Sequence, residues 1–444
     1  MVPLEIETMR VEQESPMEDE AEHPLVDFAR WLPAHIARCS EGPRWKLVML
    51  AAFLAGKQQP SFYVLLSLSR DANYLAELDA NWAFLPTCAV LQNRGAYFTV
   101  ELDVGGSRET INAIADTGSN MVVVPNCSCV AEGRCQVLGG QCFQGAANRS
   151  TRGITLGDRV LGEPVLEVVC IDTVCTRMPI VLVRDGGGVL LEGVLGLGLP
   201  SQRPPRTNLF LQWAGVKAFH LCLNALGSGY MRLLNSAPRP AGEQLATVSH
   251  SHWSLDLEGV AVASPDAAAA ACADCQAILD SGTDRVWGPP GAVVQLGAAI
   301  CRAWPRCRRE VATDAEAPAS EASEAFRRHL RDCASWWTED ESELRELPPV
   351  FFHVRGGGGT RKVLRISASS YVQVPDGSNV CQPAFEALEP GAASAGTVWL
   401  LGLPLFFEYA VSFNLAARPA TVAFSEEPCA ACDDPPGLAF ASVA

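Results

Sequence analysis

Apolar and polar residues alternate along much of the chain after residue 95, and this period is typical of half-buried β-strands. In AYFTVELDV (96–104) every second residue is apolar, and the residues between them are mostly polar. Further strand-like runs, including PIVLV (179–183) and WSLDLEGVAV (253–262), are separated by glycine, proline and asparagine. The pattern predicts a mainly β chain with few long helices.

Two segments depart from this alternation. Residues 296–348 are rich in alanine, glutamate and arginine, which predicts a helical, partly solvated insertion. Residues 1–92 comprise an acidic leader and a more apolar stretch, in which LVMLAAFLAG (47–56) is similar to the apolar region of a signal peptide. A buried helix in a pro-region is an equally supported interpretation. We therefore predict an acidic leader and a possible signal or pro-region over residues 1–92.

One short motif occurs twice, each time at the end of an apolar run. AIADTGS (113–119) and AILDSGT (277–283) both reach an aspartate that is followed by a hydroxyl residue and a glycine. Each is followed later by an apolar turn with glycine, VLGLGLP (194–200) and WLLGLPLFF (399–407). The duplication predicts two similar β-lobes whose carboxylate loops meet on a pseudo-twofold axis. The predicted N-terminal lobe, C-terminal lobe and tail are residues 93–240, 241–428 and 429–444.

The two motif aspartates, Asp116 and Asp280, are candidates for acid–base chemistry. Two carboxylates within hydrogen-bonding distance cannot both ionise cheaply, so they share a proton over a range of pH. The charged member can take a proton from water while the protonated member polarises a carbonyl, and this pairing can cleave an amide. The alternative is a pair of unrelated Asx turns. That alternative is less favoured because each motif has its own apolar strand and its own glycine turn.

The chain resembles the pepsin-like aspartic proteases from about residue 95 to residue 426, because several motifs occur in the order of that family. The motifs are YFTVELDVGG, ADTGSNMVVVP, EGVLGLGLP, FHLCLN, AILDSGTDRVWGPP and WLLGLPLFFEYAVSFNLAARPATVAFS. The cysteine cluster after Asp116 is similar to that of the cysteine-rich subgroup. The resemblance implies a bilobal pepsin-like fold, with two similar β-lobes and a cleft between them. It also implies an aspartic endopeptidase that binds a polypeptide substrate without a metal or organic cofactor.

Carried over residue by residue, the resemblance implies that Asp116 and Asp280 form a catalytic dyad around a shared water. The hydroxyl residue directly after each aspartate would interlock the two loops. The hydroxyl residue three positions after each aspartate would bond the outer oxygen of that carboxylate. The glycine between them allows close backbone approach. The residues that would support the dyad are Thr117, Gly118, Ser119, Ser281, Gly282 and Thr283.

Three positions in the expected cleft depart from the family pattern. When Gly153 and Asp158 are matched to the family's flap hairpin, the flap tyrosine position falls on Ala146, and the family's partner tryptophan is Val123. Asp284 stands where the family usually has serine or threonine. It would raise the apparent pKa values of the dyad or bind a basic substrate side chain; a solvated loop is an equally supported interpretation. The departures also leave open a catalytically weak or inactive protein that binds a peptide or protein in its cleft.

The composition limits the partners and the compartment. A net charge of −16 argues against a nucleic-acid partner and suits a protein that works in acid. No apolar run reaches the length of a membrane span, and we expect a monomer. HSH (250–252) has a spacing compatible with a metal, but two surface histidines are the better interpretation because no nearby ligands complete a site.

Seventeen cysteines are too many for a typical reduced cytosolic enzyme, so we interpret them mainly as disulfides, with at least one left over. A zinc site from the two C-x-x-C pairs is the alternative. Asn126 and Asn148 lie in N-x-S sequons, which are weak signals for glycosylation. Together these features predict the secretory pathway, with an extracellular or an acidic vacuolar or lysosomal destination.

Overall fold

The structure is a computed structural model. It describes the chain over residues 87–145, 154–156, 160–187, 190–199, 209–237, 243–267, 270–311, 318–337, 343–374, 380–388 and 397–432. The predicted leader and possible signal or pro-region lies outside this range except for its last residues, 87–92. Most of the predicted tail and the sequon asparagine Asn148 also lie outside it.

The described chain is dominated by β-strands, which are numbered here in chain order. The strands before residue 240 are β1 (Thr87–Asn93), β2 (Phe98–Val104), β3 (Glu109–Asp116), β4 (Val122–Pro125), β5 (Gln136–Val137), β6 (Ile154–Leu156), β7 (Val160–Ile171), β8 (Val174–Asp185), β9 (Leu190–Leu191), β10 (Gly193–Gly196), β11 (Ala218–Cys222) and β12 (Gly229–Leu234). The strands after it are β13 (Leu245–Ala246), β14 (Ser254–Val262), β15 (Ala270–Leu279), β16 (Val286–Gly288), β17 (Val350–Arg355), β18 (Arg361–Ile366), β19 (Val372–Gln373), β20 (Gln382–Pro383), β21 (Phe385–Ala387), β22 (Val398–Leu401), β23 (Ala410–Asn414) and β24 (Thr421–Ser425).

Helices are fewer and mostly short. They are α1 (Cys127–Ala131), α2 (Phe210–Trp213), α3 (Pro290–Ala303), α4 (Pro305–Val311), α5 (Ala319–Arg331), α6 (Ala368–Tyr371) and α7 (Leu403–Phe406), with 3₁₀ turns at Leu138–Gly140, Cys333–Ser335 and Glu343–Glu346. Among the described residues, no helix is long and apolar enough to cross a membrane.

The alternation seen in the sequence corresponds to burial in the strands. In β2, Val100, Leu102 and Val104 are buried while Glu101 between them is exposed. Alternate residues of a strand point to opposite faces, so an alternating sequence buries one face and solvates the other. The prediction of a mainly β chain is confirmed.

The same strand arrangement occurs once in each half of the chain. In the first half, β10 pairs in parallel with β3 and antiparallel with β4, and Gly196 lies opposite Asp116. In the second half, β22 pairs in parallel with β15 and antiparallel with β16, and Leu401 lies opposite Leu279. A later strand therefore inserts between the two strands that flank each aspartate loop. The prediction of a bilobal pepsin-like fold with two similar β-lobes is confirmed.

Strands from both halves share one thirteen-stranded sheet, which is called the base sheet here. The base sheet has the order β13-β24-β23-β11-β12-β1-β2-β3-β10-β4-β8-β7-β6, and a seven-stranded sheet has the order β18-β17-β14-β15-β22-β16-β21. The contact between halves is β11 with β23, where Phe219 lies opposite Phe413. Their rings stack with centroids 4.5 Å apart, and both side chains are fully buried.

The predicted helical insertion corresponds to a packed helical layer. Its first helix, α3, begins at Pro290, earlier than predicted; proline suits the first helical position because its missing N–H has no intrahelical role there. Trp304, which follows α3, contacts the rings of Phe326 at 6.4 Å and Trp336 at 5.2 Å between centroids. The exposed arginines thus lie on helices whose other faces are buried.

Disulfides account for sixteen of the seventeen cysteines, and the remaining one, Cys39, lies outside the described residues. The pairs are Cys88–Cys432, Cys127–Cys142, Cys129–Cys135, Cys170–Cys175, Cys222–Cys429, Cys272–Cys275, Cys301–Cys307 and Cys333–Cys381. The disulfide interpretation is confirmed. The zinc alternative is wrong, because all four C-x-x-C cysteines are bonded to other sulfurs and cannot act as thiolate ligands.

A partly buried histidine in the thirteen-stranded sheet makes the stability of the fold depend on pH. The Nδ1 atom of His220 lies 2.6 Å from the hydroxyl of Ser412. Burial, together with the nearby charge of Arg232, lowers the pKa of His220 to about 4. The unfolded chain, with an ordinary histidine pKa near 6.5, therefore binds this proton more readily than the folded chain.

We expect acidification from pH 7 to pH 4 to cost the folded state about 3 kcal/mol through His220. In a His220→Gln variant this part of the pH dependence should be absent, because glutamine does not titrate. Urea unfolding at the two pH values, with disulfides intact, measures it. His250→Gln, at an exposed histidine, is the matched control. Equal losses in the wild type and in His220→Gln would contradict the prediction.

Candidate active site

Each candidate aspartate is held at the end of a strand by the inserted strand of its own lobe. The Leu197 N–H donates to the Asp116 carbonyl at 2.6 Å, and the Asp280 N–H donates to the Leu401 carbonyl at 3.1 Å. The inserted strand β22 and the residue directly after β10 therefore fix the backbones of Asp280 and Asp116.

The glycines of these turns are required by close packing against the aspartate loops. A Cβ on Gly196 would lie 2.4 Å from the Met121 nitrogen, and one on Gly402 would lie 2.2 Å from the Arg285 carbonyl oxygen. Real Cβ atoms do not approach backbone atoms so closely. The close approach of each turn to its aspartate loop therefore explains why both apolar turns contain a glycine.

The two aspartate loops meet face to face. The Gly118 N–H donates to Oδ1 of Asp116 at 2.8 Å, and the Gly282 N–H donates to Oδ1 of Asp280 at 3.0 Å. A Cβ on Gly118 would lie 2.6 Å from the carboxyl carbon of Asp280, and one on Gly282 would lie 2.5 Å from Oδ1 of Asp116. Each carboxyl group therefore packs on the glycine of the opposite loop, which brings Asp116 and Asp280 together.

Buried hydroxyls connect the loops across the lobe boundary. The Thr117 N–H donates to the Ser281 hydroxyl at 3.0 Å, and the Ser281 N–H donates to the Thr117 hydroxyl at 2.9 Å. The two hydroxyls in turn donate to the carbonyls of Leu279, at 2.8 Å from Thr117, and of Ala115, at 2.6 Å from Ser281. These four bonds are reciprocal and fully buried, so they resist relative movement of the aspartates.

The surroundings of Asp280 favour its protonated form. Burial raises the pKa of Asp280 well above its usual range, and the neighbouring Asp116 carboxyl raises it further by charge repulsion and by a side-chain hydrogen bond. The Gly282 N–H and the Thr283 hydroxyl partly oppose this by stabilising the ionised form. The arrangement can hold one ionised and one protonated carboxyl group side by side.

Ser119 does not match the role that the resemblance implies. Its hydroxyl is buried, and among the described residues it has no hydrogen-bond partner. Thr283, in contrast, bonds Asp280 as expected from the motif. The prediction that Ser119 bonds the outer oxygen of Asp116 is therefore wrong, and the two loops are not equivalent at this position.

His252 lies beside the pair, which sequence reasoning missed. Its imidazole interacts with the Asp116 carboxylate and the Gly118 carbonyl, although burial is the larger effect and lowers its pKa. The interpretation of His252 as a surface histidine is wrong, because the chain carries it to the dyad just before β14. The apolar pattern of β14 gave no signal for this position.

Asp284 is tied to neighbouring side chains. Its carboxylate lies 3.3 Å from the Arg285 guanidinium, which also lies 3.2 Å from the Glu386 carboxylate. The Gln373 amide donates to the Asp284 carbonyl at 2.8 Å. The side chain of Asp284 is 30% exposed, so it is neither a free third carboxylate nor a fully solvated one. Its contact with substrate stays a prediction.

The flap assignment stays a prediction, because it rests on residues outside the described range. Strands β6 and β7 pair in antiparallel orientation, with Leu156 opposite Val160. Gly153 and Asp158, on which the matching to the flap rests, lie outside the described residues. Ala146 itself, like residues 157–159, lies outside the described residues.

Two nearby apolar residues also have defined positions. Val123 lies in β4, partly buried, and packs against the small apolar cluster that includes Val181 and Val183. Its predicted place in the cleft stays a prediction. Phe143 is buried and packs on Gly105, where a Cβ would lie 2.6 Å from the Phe143 ring.

The structure argues against a glycan on Asn126. This residue is 2% exposed, and its side-chain oxygen caps α1 by accepting from the Ser128 N–H at 2.9 Å. A buried capping amide offers no room for a carbohydrate on its nitrogen. The following Cys127 is in a disulfide, which also restricts the segment.

The chain is similar in sequence to curated proteins named cathepsin E, while no family model matches it. It is 24% identical to cathepsin E of Cavia porcellus over 336 residues, which cover 68% of this chain and 74% of the relative. It is 24% identical to cathepsin E-A of Xenopus laevis over 344 residues, with 71% and 76% covered. It is 25% identical to cathepsin E of Rattus norvegicus over 226 residues, with 48% of each chain covered. Cathepsin E is a pepsin-like aspartic protease, so these weak similarities support the resemblance found in the motifs.

Proposed function

We propose that this chain is an aspartic endopeptidase that hydrolyses peptide bonds with a water activated between Asp116 and Asp280. The observation that carries the proposal is the meeting of two carboxyl groups, each packed on the glycine of the opposite loop. A structural acid has no need for a second acid at its side, because the repulsion between them raises the cost of ionisation. The similarity to proteins named cathepsin E supports the same reaction class.

The chemistry follows from the unequal protonation of the pair. The ionised carboxyl takes a proton from water, and the resulting hydroxide attacks the carbonyl carbon of the peptide bond. Asp280, which holds the shared proton, donates it to the carbonyl oxygen, so that a neutral tetrahedral intermediate forms. Collapse of this intermediate breaks the C–N bond, and a proton passes to the leaving amine. The reaction requires no metal or organic cofactor.

The substrate would be an extended polypeptide that binds in the cleft between the lobes. Extended peptides bind through backbone hydrogen bonds while alternate side chains enter pockets, which suits a site built from two β-lobes. The eight disulfides support an oxidising compartment. We place the protein in the secretory pathway, with an extracellular or an acidic vacuolar or lysosomal destination.

The test is cleavage of an unfolded protein substrate by the full chain between pH 3 and pH 7. We expect cleavage in acid that declines as pH rises through the upper pKa of the pair, because two ionised carboxylates leave no acid for the carbonyl oxygen. Intact substrate at every pH, in the presence of folded protein, would overturn the proposal. Peptide binding without cleavage would then identify a binding protein that retains the cleft.

His252 should set the acid limit of this activity. When protonated, its imidazolium favours the ionised form of Asp116, so the pair stays active to lower pH. In His252→Gln we expect the acid limb of the pH–rate profile to move to higher pH, because the positive charge beside the Asp116 carboxylate is lost. The basic limb should stay in place. A uniform loss of rate with an unchanged acid limb would contradict this prediction.

A further inference from the structure

Trp253 lies between the two aspartate loops and contacts the backbone that supports each of them. We propose that Trp253 is a positioning residue that fixes the separation of the Asp116 and Asp280 loops through its indole N–H and its main-chain carbonyl. This inference rests on the proposed function of the pair and adds a residue that neither loop motif contains.

The side chain of Trp253 supports the loop of Asp116. Its Nε1–H donates to the Leu197 carbonyl at 2.8 Å in a fully buried hydrogen bond. The Leu197 N–H donates in turn to the Asp116 carbonyl at 2.6 Å. Leu197 therefore links the indole of Trp253 to the backbone of Asp116 through two hydrogen bonds.

The main chain of Trp253 supports the loop of Asp280. The Leu279 N–H, directly before Asp280, donates to the Trp253 carbonyl at 2.9 Å. The Leu279 carbonyl accepts the Thr117 hydroxyl at 2.8 Å, so the same residue is also bonded across the lobe boundary. Trp253 thus belongs to the backbone support of both loops.

The indole cannot turn away from this position without repacking the base sheet. Trp253 is fully buried, and its ring makes edge contacts with Phe219 and Phe413 at centroid distances of 5.9 and 4.9 Å. The two phenyl rings belong to strands from different halves of the chain. A donor locked by such packing holds its acceptor at one place, as a supporting residue of a catalytic site must.

Other buried indoles of the described chain provide the contrast. Nε1 of Trp304 and Nε1 of Trp399 are buried and have no hydrogen-bond partner among the described residues. These two tryptophans act by packing alone, whereas Trp253 combines packing with a bond directed at the aspartate support. They are therefore matched controls for the loss of an indole.

The test compares Trp253→Phe with Trp304→Phe and Trp399→Phe. Phenylalanine keeps an aromatic ring but removes the N–H, so the Asp116 loop loses its fixed support. We expect kcat to fall about tenfold in Trp253→Phe with less than a twofold change in KM, because the loss affects alignment more than substrate binding. The basic limb of the pH–rate profile should move to lower pH, since a wider separation weakens the repulsion that holds the proton on the pair. Both control variants should match the wild type.

A second readout is independent of turnover. Carboxyl ¹³C chemical shifts of labelled aspartate report the titration of Asp280, which should move to lower pH in Trp253→Phe and stay in place in the controls. Should Trp253→Phe fail to fold, benzothienylalanine at position 253 replaces only the N–H by sulfur and keeps the ring shape. A shifted titration in a protein that cleaves nothing would support the positioning role and overturn the proposed function. Cleavage with kcat and titration equal to those of Trp304→Phe would overturn the positioning role alone.

Discussion

Asp116→Asn and Asp280→Asn are each expected to lower kcat/KM by roughly a thousandfold or more, since each removes one partner of an acid–base pair. Asparagine keeps the size of the side chain and an acceptor for the loop glycine N–H, so the loops should keep their geometry. The double variant should lose little more activity than either single variant, because residues that act as a unit are not additive. Initial rates on an unfolded protein substrate at the acid optimum measure all three variants.

The same substitutions should affect stability in a way that a structural acid would not. The raised pKa of Asp280 means that its ionised form destabilises the folded state at pH above the ordinary aspartate pKa. Asp280→Asn should therefore raise the free energy of unfolding at neutral pH while it abolishes cleavage. Asp256→Asn, at a partly exposed aspartate 3.0 Å from the Arg355 guanidinium, is the matched control and should retain full activity. Loss of folding in Asp280→Asn would identify a structural acid instead.

The repeated motif made much of this site predictable from the sequence. The apolar runs before Asp116 and Asp280 are strands because alternating and branched apolar residues suit a pleated, buried surface. The motif also identified the residues that cross-link the loops, Thr117 and Ser281, whose hydroxyls are buried in reciprocal bonds. The short spacing of the motif predicted the contacts within each loop. The resemblance to the family predicted the contacts between the two loops.

The rest depended on contacts between residues far apart in the chain. His252 and Trp253 reach the pair only because β14 packs between β15 and β17, and nothing local in HSHW predicts that neighbour. Most of the disulfide pairing was equally inaccessible, since many pairings of sixteen cysteines are possible. Cys170–Cys175 differs from the other pairs, because it joins two cysteines that are close in sequence across the tight hairpin between β7 and β8. The flap matching stays a prediction, because Gly153, Asp158 and Ala146 lie outside the described residues.

The loop glycines give the second large expected effect. Gly118→Ala and Gly282→Ala would each place a methyl carbon about 2.5 Å from the opposite carboxyl group, well inside contact distance. The carboxyl groups must then separate by about 1 Å, and a displacement of this size in a catalytic site costs about a hundredfold in rate. We therefore expect kcat/KM to fall at least that far in both variants, although no ionisable or hydrogen-bonding side chain is removed.

Gly106→Ala is the matched control, because a Cβ on Gly106 meets nothing within 4 Å. It should retain wild-type kinetics and an unchanged pH profile. In the two loop variants the basic limb of the profile should move to lower pH, since separated carboxylates repel less and the proton on Asp280 is released sooner. Full activity in Gly118→Ala would mean that the two carboxyl groups do not work in contact. Such a result would contradict the proposal that Asp116 and Asp280 act as one acid–base pair, because the packing of each acid on the opposite glycine would then have no effect on catalysis.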